Sequence, residues 1–180
     1  MSAGVVIDVV SGRGRVGCKG PGAPAWLEKH GITVPDAPNR YAIDSSGVLS
    51  ARLATSEFLI EATNDGAASV VEPVRRALEY ADFPQGVYPV LRQDFVLEIS
   101  GAEAAGLFNQ TCAVDLEPVA RQSTAADGPV IMTSMIGVSV VLVCQQLSEG
   151  RRFSVWSDPS YSAYFHSQLL AIVTDRGTSP

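Results

Sequence analysis

The chain has 180 residues, a net charge of −6, a sequence pI near 4.8 and a mean hydropathy of +0.16. That length suits one compact domain or two tightly fused half-domains, and a hydrophobic content of 46% supplies a sizeable core. The acidic balance leaves no basic stripe to neutralise phosphates, which excludes a general nucleic-acid binder. The longest apolar run, residues 138–144, is too short to cross a bilayer. No basic segment or cleavage-like site frames the early GVVIDVV as a signal peptide. Cys18, Cys112 and Cys144 are an odd, widely spaced set in or beside apolar stretches. They read as buried free thiols in a reducing cytoplasm.

Residues 1–12 read as a strand-like arm whose valines need cover. Residues 13–19 form a second strand, broken by Gly20, Pro21 and Gly22. A short helix follows, with Pro24 in its first turn, Trp26 and Leu27 turned to a sheet, and Gly31 placed to stop it. Pro35 and Pro38 stiffen the exit loop. Residues 41–43 and 48–53 form a hairpin about Asp44, Ser45, Ser46 and Gly47, and residues 58–61 another strand. Residues 67–82 make the clearest helix, with Val70, Val71, Val74, Leu78 and Ala81 at helical spacing and Asn64 or Asp65 as caps. Pro73 either kinks it or moves its start towards residue 72.

After a link at residues 83–86, strands are expected at 87–91 and 94–100 and a second short helix at 101–110. Residues 121–129 read as a mobile loop. A hairpin of 130–135 and 138–144 follows, then a strand at 153–156. Ser157 or Asp158 caps a last helix, with Pro159 in its first turn and a buried stripe of Tyr161, Tyr164, Phe165, Leu169 and Ile172. Residues 175–180 read as a frayed tail.

One plan is therefore written twice: strand, glycine, short helix, further strands, long helix. The reading is a single α+β domain over residues 1–180 made of two pseudo-repeats, about 13–83 and 87–173. Each is mainly antiparallel sheet with helices on one face.

Gly12, Gly14 and Gly17 match the spacing of the dinucleotide fingerprint. That mechanism needs a helix to open after the last glycine, whereas here a strand continues. His30 and His166 have no carboxylate or cysteine at ligand spacing, so metal binding is not expected. Cys18 beside Lys19 reads as a buried strand cysteine more readily than as an activated thiol. Glu57 and Glu61, on one side of a strand, read as solvated edge charges. No catalytic constellation emerges.

The segment GCKGPGAPAWLEKHGITVPDAPN, followed by GVLSARL and EFLIE, resembles the gamma subunit family of heterotetrameric sarcosine oxidase. The second half agrees in Arg92-Gln93-Asp94, Ile99-Ser100-Gly101, CAVDL and Gly137-Val138-Ser139-Val140, so the likeness runs from about residue 13 to 173. The resemblance implies a fold like the folate-binding domain of glycine-cleavage aminomethyltransferases, itself two similar α+β halves. It implies a cytoplasmic complex with alpha, beta and delta subunits that demethylates sarcosine and passes the one-carbon unit to tetrahydrofolate. FAD, FMN, NAD, zinc and tetrahydrofolate are expected on those partners, with no cofactor, catalytic residue or metal in this chain.

Folate-using relatives carry a Gly-Tyr-Thr-Gly-Glu segment. The nearest stretch here, Ala54-Thr55-Ser56-Glu57-Phe58, lacks the tyrosine and the second glycine, so no folate ligand is carried over. Lys19, Asn39, Arg40, Arg92 and Gln93, which punctuate the two repeated units, are candidate subunit contacts. Ordinary solvation of turns and strand ends explains each of them singly just as well. The alternatives are a subunit of a related N-methyl amino acid dehydrogenase complex, and a free-standing folate- or one-carbon-binding protein.

Overall fold

The computed structural model describes residues 4–80 and 84–177. Strand β1 (Val6–Val10) is followed by β2 (Arg15–Lys19), helix α1 (Ala23–Lys29), the hairpin β3 (Arg40–Ile43) and β4 (Val48–Ala54), then β5 (Glu57–Ala62) and helix α2 (Asp65–Tyr80). The chain continues through β6 (Tyr88–Val90), β7 (Phe95–Ser100), α3 (Ala104–Thr111), the short α4 (Glu117–Ala120), β8 (Asp127–Met135), β9 (Val138–Leu147) and β10 (Gly150–Ser157). A 3-10 turn over Pro159–Tyr161 leads into α5 (Ser162–Gly177). The protein is α+β, every strand pairing with a described register is antiparallel, and no helix among the described residues is long and apolar enough to cross a membrane.

Two compact units share this chain. The N-terminal unit comprises the described residues of 12–93 and 126–130; the C-terminal unit comprises those of 4–11, 94–125 and 131–177. The N-terminal unit orders its strands β3-β4-β5-β2-β6, with the start of β8 beside β3. The C-terminal unit orders them β8-β9-β10-β7-β1. In each, a strand is followed by a short helix, three strands and a 16-residue helix, and the outermost strand is an arm. The arms are exchanged. β1, which precedes β2 in the chain, pairs with β7, while β6, which precedes β7, pairs with β2.

The hinge of each motif is a glycine. Gly20 (φ 116) and Gly101 (φ 107) end β2 and β7 in backbone that L side chains rarely adopt. Each carbonyl then accepts from the first helical residue, Ala23 (3.0 Å) or Ala104 (3.2 Å). In the N-terminal unit the helices α1 and α2 lay Ala23, Leu27, Val71, Val74 and Leu78 on Val16, Cys18, Phe58 and Ile60. In the C-terminal unit Leu107, Phe108, Phe165 and Leu169 cover Leu97, Ile99, Leu142, Phe153 and Val155. The Phe108 and Phe153 rings lie 4.4 Å apart. Alternation along each strand puts the next residues on the opposite face. Those too are buried, as Leu49, Ala51 and Leu59 show in one unit and Val96, Val143 and Trp156 in the other.

Several expectations are corrected, the first of them by long-range pairing. Residues 127–129 are not loop: Asp127, Gly128 and Pro129 ladder with Ala42, Tyr41 and Arg40, a tertiary context that overrides poor strand composition. Tyr161 and Tyr164 are 49% and 50% exposed, so only Phe165 and Leu169 of that stripe reach the core fully, with Ile172 at its margin. The last helix runs to Gly177 instead of fraying at 175, and α4 had no sequence signal beyond its Glu-Pro start. The long helix starts at Asp65, with Asn64 Oδ1 accepting from Ala67 N (2.9 Å), and continues through Pro73. Ala81, Asp82, Phe83 and residues 178–180 lie outside the described residues.

A Cβ at Gly20 would collide with the Gly86 carbonyl and stand 2.9 Å from Tyr88 Cδ2, whereas one at Gly150 (φ 126) meets nothing within 4 Å. Gly20→Ala is therefore expected to cost roughly 2–4 kcal/mol by strain plus overpacking, and Gly150→Ala about 1 kcal/mol by strain alone. Urea unfolding of the two variants checks the difference.

Candidate interaction surface

The five expected contact residues all fall in the N-terminal unit, at two places. Lys19 ends β2, opposite Glu57 of β5 on one side and Tyr88 of β6 on the other. Arg92 and Gln93 follow β6 after Leu91. The absence of a side chain at Gly17 makes room for Arg92: a Cβ there would stand 2.8 Å from Arg92 Cγ and 2.9 Å from the Val90 carbonyl oxygen. Arg92 Nη2 donates to Glu57 Oε1 at 2.8 Å, and only 12% of the arginine side chain is exposed. Lys19 and Gln93 are exposed, as are Tyr88 and Leu91, the latter by 80%. Lys19, Arg92 and Gln93 thus form one corner, and Arg92 is its support more than its surface.

Asn39 and Arg40 form the second place, separated from β2 by β4 and β5 in the sheet order. Asn39 has φ 58, a left-handed backbone that asparagine tolerates better than most residues. Its N–H donates to the Arg52 carbonyl and its own carbonyl accepts from Val130 N, both at 2.8 Å. Arg40 Nη2 donates to Asp127 Oδ1 at 3.2 Å. The residue that organises this end is one sequence reasoning passed over. Arg52 donates to the carbonyls of Pro35 (2.9 Å), Asp36 (3.2 Å) and Thr55 (2.7 Å), tying the proline-stiffened exit loop to the β4–β5 turn. An arginine within an apolar strand is the only signal it leaves.

Glu61 is a correction. It is 1% exposed instead of solvated, with Arg15 Nε donating to it at 2.6 Å and Arg13 Nη1 at 3.4 Å. Glu57 is half-buried and engaged by Arg92. The stretch that stands where a folate-binding glutamate would be sought is a hairpin turn whose carboxylate is already paired.

The remaining chemistry-bearing residues are similarly occupied. Burial pushes the Cys18 thiol up to about 12, against the opposing pull of Arg92, and the Cys144 thiol up to about 11, so neither is an activated thiol. The His30 ring lies 4.1 Å from that of Trp26, with Nδ1 2.8 Å from the Trp26 carbonyl oxygen. Among the described residues no group of three His, Cys, Asp or Glu could hold a metal ion. The strand runs on past Gly17 to Lys19, as expected, while Gly12 and Gly14 precede it, and the helix opens only at Ala23. In the C-terminal unit a shallow hollow of about 300 Å³ lies between the start of α3 and the β9–β10 turn. Its Arg151 is committed to Glu117 through both terminal guanidinium nitrogens, and its lining residues include no nucleophile–base pair.

No protein-family model and no curated protein matches this sequence. Among solved structures, the chain is similar to a chain of the heterotetrameric sarcosine oxidase from Corynebacterium sp. U-96, determined in complex with pyrrole 2-carboxylate. The TM-score is 0.71 at 23% identity, over 98% of this chain and 87% of that one. It is also similar to aminomethyltransferase T of the glycine cleavage system from Bartonella henselae, with a TM-score of 0.61 at 15% identity. That likeness covers 93% of this chain and 46% of the other, so this chain spans less than half of the aminomethyltransferase. Both likenesses are of fold.

Glu61→Gln leaves Arg15 buried without its carboxylate and is expected to cost about 3 kcal/mol, whereas Glu57→Gln at the exposed corner costs under about 1 kcal/mol. Chemical denaturation separates them. Acid sensitivity follows from two other carboxylates. Hydrogen bonds from Arg75 and Arg76 hold Glu72, and from Arg151 hold Glu117, down to about 2 from the ordinary 4.5. A carboxyl more acidic folded than unfolded adds stability above the unfolded value and loses it as pH falls through the folded one. The urea midpoint should therefore decline between about pH 4.5 and 2, less steeply in Glu117→Gln. Added salt should shrink the difference, because both carboxylates are exposed enough to be screened.

Proposed function

We propose that this chain is a non-catalytic, gamma-type subunit of a sarcosine oxidase-like complex, working in the cytoplasm with alpha, beta and delta partners. The assembled complex demethylates sarcosine oxidatively to glycine and transfers the one-carbon unit to tetrahydrofolate. FAD, FMN, NAD, zinc and tetrahydrofolate belong to the partner subunits in this reading. The observation that carries it is the fold likeness to a chain of a heterotetrameric sarcosine oxidase along nearly the whole of both chains. The surface fits a subunit as well: Leu91, Tyr88, Met132, Tyr161, Tyr164 and Leu170 are large apolar or aromatic side chains left exposed, and partner contact would cover them.

A free-standing folate or one-carbon binder is the second reading, favoured by the likeness to aminomethyltransferase T. A related N-methyl amino acid dehydrogenase complex would reuse the same fold with another amine, and assays of the assembled enzyme on sarcosine and other N-methyl amino acids separate the two. The deciding experiment is size exclusion of the tagged chain from its native host, read at flavin wavelengths. A large yellow species that oxidises sarcosine is the expected result. A colourless species of one or two chains that releases heat on titration with tetrahydrofolate would replace the subunit reading with the second.

A further inference from the structure

Each unit ends its sheet in an arm, and the two arms are built differently. In β6 the central residue is Pro89, paired with Cys18 of β2. Proline has no N–H to exchange, so Cys18 and Pro89 form the non-bonded pair of the ladder. The middle of the outer edge then offers one carbonyl and no donor, which blunts it against further strands. β1 carries no such block. Its Val-Ile-Asp-Val-Val run is the outermost strand of the C-terminal unit, with no proline, and Val9 is 47% exposed.

The register adds a charge. Asp8 stands directly opposite Glu98 of β7, two like charges in the closest cross-strand relation. Glu98 has partners of its own, Arg152 Nε at 4.0 Å among them, whereas Asp8 makes no ion pair among the described residues. We infer that the outer edge of β1 accepts an extended segment of a partner polypeptide, added as a further strand with a lysine or arginine facing Asp8 and apolar residues facing Ile7 and Val9. Strand addition completes the open ladder, covers Val9 and gives Asp8 a cation. A second copy of the chain is the poorer occupant, because β1 has no cation of its own to bring to Asp8. The inference deepens the subunit reading and rests on it for the existence of a partner chain.

The test uses the full chain and nine-residue peptides of alternating threonine and valine with lysine, serine or glutamate at the centre. The lysine peptide should slow hydrogen exchange at residues 6–10 and bind about fivefold more tightly than the glutamate peptide. Asp8→Lys should invert that order while leaving the fold intact, since it also relieves Glu98. Unchanged exchange at saturating peptide, or an unchanged preference in Asp8→Lys, overturns the inference. The outcome is independent of the flavin experiment: protection without a yellow complex keeps the edge and removes the sarcosine oxidase reading, and the reverse removes the edge alone.

Discussion

The reversal at Gly20, repeated at Gly101, is the constraint on which the architecture depends. A strand that must be followed within three residues by a helix lying back on its own sheet needs a backbone angle near φ 110, and glycine supplies it without steric cost. Once the chain turns there, the side chains of α1 and α3 reach the sheet, and the next three strands have a helix-covered face to pack against. In the N-terminal unit the same turn is closed from outside. Gly22 N donates to the Gly86 carbonyl and Gly20 N to that of Ser56, so the arm before β7 and the β4–β5 hairpin are both registered by it.

Sheets buried on both faces set the terms for every polar residue in them. Glu61 lies on the face away from the helices and is nonetheless 1% exposed. It is tolerable there because Arg15 occupies the facing ladder position and donates at 2.6 Å. Breaking such a pair is far costlier than never having made it, so it fixes the β2–β5 register more than it adds stability. At the other end of the same two strands Glu57 and Arg92 repeat the arrangement in a wetter place, and Gly17 between them leaves the notch that Arg92 fills. The surface offered to partners is therefore shaped from beneath. Lys19 and Gln93 are exposed beside an Arg92 that is held down.

Much of this was legible in advance. The strand–glycine–helix unit, its repetition, the hairpin about Asp44 to Gly47 and the long helix from Asn64 all announce themselves by punctuation and periodicity. Asp44 Oδ1 takes the Ser46 and Val48 N–H groups as a turn residue should. What failed was whatever depended on a distant segment. Asp127 to Pro129 look like loop until β3 lies beside them. Tyr161 and Tyr164 look like core because helical spacing says which residues share a side, not how far the cover over that side extends. Glu57 and Glu61 look like a solvated pair until the arginines, 35 and 46 residues away in the chain, are brought to them.

The sequence by itself determined the alphabet of the fold: which segments are strands or helices, where each must turn, and that one plan is used twice. These are local properties of φ, ψ and hydrophobic period, carried by a few neighbouring residues. Only the tertiary structure decided which strands are neighbours, that the two arms cross to the opposite units, and that Glu61 is buried. Pairing partners are chosen by the free energy of burying apolar faces and closing ladders across the whole chain, and no local stretch holds that information.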